Sequence, residues 1–68
     1  MGNKHKIIAL ILEKIAEHQP VAYEELNRDM QIGHGLASAR FAEYIRLLEQ
    51  DNRITVTGID GTINLRKA

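Results

Sequence analysis

The amino-acid sequence predicts one α+β domain, mostly α, made of three helices and a C-terminal β-hairpin. Three observations predict it. Up to residue 51 the apolar side chains recur at the three-to-four-residue spacing of a helix face, and from Ile54 onward the spacing falls to two. A length of 68 residues supports one hydrophobic core and no second. The single expected domain therefore spans 1–68, with 1–5 expected to be flexible.

The first helix is expected over about 4–18, where Ile8, Ile11, Leu12 and Ile15 share a face. Gln19-Pro20 ends it, because proline pushes the preceding residue out of the α region. Val21-Ala22 follows as a short extended piece. A second helix is expected over about 23–30, with Glu24 and Glu25 at the positive end of its dipole and Leu26 and Met30 on one face. The run Gln31-Ile32-Gly33-His34-Gly35 reads as a break, its glycines permitting a sharp turn and Ile32 plugging the space beneath.

A third helix is expected over about 36–51. Ala37, Phe41, Tyr44, Ile45 and Leu48 fall on its packed side, and Ser38, Ala39, Ala42, Glu43, Arg46, Glu49 and Gln50 on the other. Asn52 tolerates a left-handed ending. The runs Ile54-Thr55-Val56-Thr57 and Thr62-Ile63-Asn64-Leu65 alternate as strands do, and Gly58-Ile59-Asp60-Gly61 between them is a hairpin cue. Ile54, Val56, Ile63 and Leu65 should cover the helices while the threonines and Asn64 face water.

Nine Lys and Arg balance nine Asp and Glu, so the formal net charge is zero. The balance is uneven along the chain: residues 1–6 and 53–68 each carry a net +2, and residues 7–52 a net −4. A neutral total weakens nonspecific attraction to nucleic acid, yet the basic ends permit a local cationic face. There is no cysteine, which excludes disulfides and thiolate metal sites and suits a reducing compartment. No apolar run approaches the roughly 18 residues of a membrane span. Ile7 to Leu12 is followed by no small-residue cleavage site, so no signal peptide is expected. A soluble, cytoplasmic protein is expected.

The order helix, short strand, helix, glycine turn, helix, hairpin, together with Val21-Ala22-Tyr23-Glu24-Glu25-Leu26, the turn at Ile32-Gly33 and the stretch from Arg40 through Leu48-Glu49 to Ile54, resembles the winged helix-turn-helix superfamily. The resemblance covers nearly the whole chain. It implies a transcriptional regulator that binds double-stranded DNA, with the third helix in the major groove and the second helix and wing base on phosphates. Carried onto this chain, Ser38, Ala39, Arg40 and Arg46 would face the groove. Arg40 would read a guanine and Arg46 a phosphate. His34, at the entrance to that helix, could touch phosphate, and Arg53, Arg66 and Lys67 could clamp the backbone or serve only as solubilising charge that keeps an edge strand from pairing with another sheet. Glu43 stands against this unless it accepts from a cytosine amino group or pairs with Arg40 or Arg46. The alternative is an ordinary solvated helix face with ion pairs.

Ile7 and Leu10 rotate away from the core stripe of the first helix. They could form a homodimer seam or a protein-partner surface, or be covered by the terminal segment or the wing. His5, His18 and His34 are scattered, without metal-ligand spacing. Tyr23 and Tyr44 suit packing with wet hydroxyls. Gly33-His34-Gly35 lacks the lysine and spacing of a phosphate loop, and no activated nucleophile is present. No enzyme, cofactor or metal is therefore expected. The rival function is a winged-helix protein–protein interaction module without DNA binding, favoured by the neutral charge, Glu43 and the acidic middle of the chain.

Overall fold

The computed structural model of the protein describes residues 3–57 and 61–66. Six elements follow one another: α1 (Asn3–His18), β1 (Val21–Ala22), α2 (Tyr23–His34), α3 (Ser38–Gln50), β2 (Ile54–Thr57) and β3 (Thr62–Leu65). The architecture is α+β and mostly α, three helices against a small antiparallel sheet in the order β1-β3-β2.

α1 buries Ile11 and Ile15, four residues apart, with Ile8 and Leu12 half-buried beside them. It reaches back to Asn3, so Lys4 and His5 lie in its opening turns. It stops at His18, where the restriction imposed by Pro20 takes effect. Val21 and Ala22 then pair with Ile63 and Thr62, and β2 pairs with β3 from Ile54↔Leu65 to Thr57↔Thr62. The hairpin expected at 54–65 therefore forms, with both strand ranges as read from the alternation.

One expectation about the ribbon fails. Thr55 and Thr57 face water, but Thr62 and Asn64 are half-buried. The cause is β1, which makes β3 the central strand. Two residues of β1 cannot serve all of β3, and the N–H of Leu65 donates instead to the side-chain Oε1 of Gln19 at 3.0 Å. A carboxamide thus stands in for the next strand carbonyl, which leaves that backbone donor satisfied.

α2 runs to His34, one turn beyond the expected end at residue 30. Gly33 lies inside the helix and Gly35 makes the left-handed stop at φ +66°. The N–H groups of Gly35 and Leu36 donate to the carbonyls of Gln31 and Met30, both at 3.1 Å. Continuing the helix moves Ile32 about 200° from buried Met30, and Ile32 is 78% exposed. It is no plug. Leu36, 6% exposed, fills that place.

α3 begins at Ser38, two residues later than expected. Ala37, expected on the packed side, is exposed in extended backbone at the N-cap and makes no side-chain cap bond. From there the helical spacing holds: Phe41, Tyr44, Ile45 and Leu48 are buried. The ring of Tyr23 meets Phe41 edge-on, with centroids 5.1 Å apart. The helix ends in a Schellman arrangement. Asn52 sits at φ 61°, its N–H donates to Glu49 O, and that of Arg53 donates to Leu48 O, both at 3.0 Å.

The core joins every element: Ile11 and Ile15 of α1, Val21 of β1, Leu26 and Met30 of α2, the four α3 residues, Ile54 and Ile63, with Leu36 from the turn. No helix among the described residues is long and apolar enough to cross a membrane.

Candidate nucleic-acid interface

Burial of Phe41, Tyr44, Ile45 and Leu48 turns the opposite side of α3 outward. Ser38, Ala39, Arg40, Ala42, Glu43 and Arg46 are all exposed. Ser38, Ala39 and Ala42 are small and leave the helix backbone open to close approach beside Arg40 and Glu43. Its two guanidiniums are in different states. Arg40 Nη1 lies 3.7 Å from Glu43 Oε1, an i, i+3 pair open to water on both sides, worth a few tenths of a kcal/mol. Arg46 has no carboxylate within 4 Å among the described residues.

The start of α3 is tied to α2. Asn27 Nδ2 donates to Ser38 Oγ at 3.4 Å, while the buried Asn27 Oδ1 finds no partner among the described residues. Ser38 is therefore already engaged as an acceptor, and its own hydroxyl proton is available to an outside group. Nothing in the sequence pointed to Asn27; a polar residue beside Leu26 on an amphipathic helix looks like any flank position.

His34 occupies the last turn of α2, exposed, just before the Gly35 turn that leads to α3. Arg53 and Arg66 come together at the open end of the β2–β3 hairpin, where Arg66 N–H donates to Arg53 O at 2.9 Å and Arg66 Nη1 to Asn52 Oδ1 at 3.4 Å. The other end of the hairpin lies against α2, with the N–H of Tyr23 donating to Gly61 O at 2.6 Å. The two arginines thus sit a full strand length from Gly61. Lys67 and the turn residues Gly58, Ile59 and Asp60 lie outside the described residues.

Ile7 and Leu10 are half-buried and packed against the core cluster. Ile32 is the one large apolar side chain that stands in water among the described residues. His5, His18 and His34 are exposed, and His18 Nε2 lies 3.9 Å from Glu17 Oε1. No group of three His, Asp or Glu residues within metal-binding reach occurs among the described residues.

Set against protein-family models, curated proteins and solved structures, the chain matches none.

Proposed function

We propose that the chain is a winged helix-turn-helix domain that binds double-stranded DNA and serves as a transcriptional regulator. The element order and the β1-β3-β2 sheet support the winged reading, with the hairpin as the wing. The observation that carries DNA binding is the outward face of α3 from Ser38 to Arg46, exposed throughout, small at its start and bearing two arginines. A helix of that form fits a major groove about 12 Å wide. Arg46 meets a phosphate. Arg40 exchanges Glu43 for a base edge, and Glu43 then accepts from a cytosine amino group.

Fluorescence anisotropy with a labelled duplex at low salt tests this. Arg40→Ala and Arg46→Ala should each weaken binding about tenfold, and affinity should fall steeply as salt rises. Unchanged affinity in both variants refutes the recognition-helix assignment. Pairing of two copies through Ile7 and Leu10 of α1 would present two α3 helices to a two-fold site; sedimentation that finds only monomer refutes it.

A protein–protein module is the second reading, and the exposed Ile32 favours it together with the neutral total charge. Amide shifts at 35–46 on adding duplex DNA support the first reading. Their absence supports the second.

A further inference from the structure

A second site lies at the open end of the hairpin. Ile54 and Leu65 are the last register pair of β2 and β3, and the bond from Arg66 N–H to Arg53 O extends the ladder by one step. Arg53 and Arg66 are therefore cross-strand neighbours, with Cβ atoms about 5 Å apart. Like charges so placed repel, and among the described residues neither guanidinium has a carboxylate within 4 Å. Both border an open cleft of about 400 Å³ between α1, the turn after α3 and the end of β3. Its remaining walls are Leu12, Leu65 and Asn52. The two leucines are half-buried, and Asn52 Oδ1 takes one hydrogen bond from Arg66, which leaves the rest of that guanidinium's donors to another acceptor.

We propose that this cleft binds a small organic carboxylate with an apolar body. The carboxylate bridges Arg53 and Arg66, relieving their repulsion through charge-assisted hydrogen bonds, and the body lies on Leu12 and Leu65. The volume falls within the roughly 300–1,000 Å³ of small-molecule sites: too large for a single inorganic ion, too small for a helix. The apolar floor sets this site apart from a phosphate clamp. The inference does not rest on DNA binding, because its readout uses no nucleic acid.

The test is an NMR titration of the full chain with benzoate, acetate, inorganic phosphate and benzyl alcohol. Benzoate should give saturable shifts at the amides of Leu12, Asn52, Arg53, Leu65 and Arg66 in the millimolar range. Acetate and phosphate lack the body and benzyl alcohol lacks the charge, so each should bind at least tenfold more weakly. Arg53→Gln with Arg66→Gln should remove the benzoate shifts and leave the thermal midpoint unchanged or higher, since a repulsion is removed. Equal response to acetate, phosphate or benzyl alcohol, absence of saturable benzoate shifts, or benzoate binding that survives the double substitution overturns the proposal. The comparison of the four probes on the unsubstituted chain decides even where the variant fails to fold.

Discussion

Asn52 carries two tasks in one side chain. Its left-handed backbone closes α3, and its Oδ1 holds Arg66. The first task matters more for stability, because the 3.4 Å bond to Arg66 is exposed and long. Replacing Asn52 with Ala should cost about 1 kcal/mol in urea unfolding, the penalty for a Cβ in the left-handed region. Asn52→Gly, free of that penalty, should stay within about 0.5 kcal/mol of the parent. The Asn52 ending could be read in the sequence, because asparagine is one of few residues that accept such a φ. The bond from Leu65 to Gln19 could not, since partners 46 positions apart meet only once β3 has taken its place. Arg40 and Glu43 stand between these cases: their three-residue spacing puts them in reach on any helix, and the sequence left only the choice between Arg40 and Arg46 open.

Among the elements, α2 departs furthest from its sequence reading. Periodicity shows Leu26 and Met30 but offers no third apolar residue to say where the helix stops, and two glycines two positions apart both allow a stop. Burial of Leu36 decides it: only by running on to His34 and turning at Gly35 does the chain bring Leu36 under the turn while Ile32 points outward. Opposite responses at the two glycines follow. Gly33→Ala should gain about 0.5–1 kcal/mol, since a helix-interior glycine is replaced and a Cβ there meets nothing within 4 Å. Gly35→Ala should lose about 1–2 kcal/mol through its positive φ. Leu36→Ala should cost about 2–4 kcal/mol as a core truncation, and Ile32→Ala less than about 0.5 kcal/mol. Thermal or urea melts of the four variants read these values; equal effects at Leu36 and Ile32 would refute the turn as described. α1, the buried face of α3 and the two hairpin strands were legible because each carries several turns or alternations of pattern. A single turn does not.

In the molecule as a whole, cations and anions are arranged without net excess, so any anion-binding face depends on local placement. Glu43 is the charge that most reduces the attraction of α3 for phosphate. Glu43→Gln should therefore tighten nonspecific duplex binding several-fold at low salt and shrink that gain as salt rises. No change across a salt series would mean that α3 does not face the duplex. The outward position of Ser38, Glu43 and Arg46 was visible in the helical pattern, with Arg40 at the edge of that face. The meeting of Arg53 with Arg66 was not, because two residues thirteen apart become neighbours only through the strand register.

The sheet order has a consequence for how the chain acquires its shape. β1 and β2 do not pair with each other; among the described residues each has β3 as its only strand partner, and α1 packs on β3 as well. β3 therefore joins β1, β2 and α1, and it leaves the ribosome after the other five elements. A nascent chain halted before Thr62 would carry two unpaired strand edges and lack Ile63, a side chain buried on every side, so the earlier helices should remain a loose, protease-sensitive collection until β3 arrives and closes them in one cooperative event.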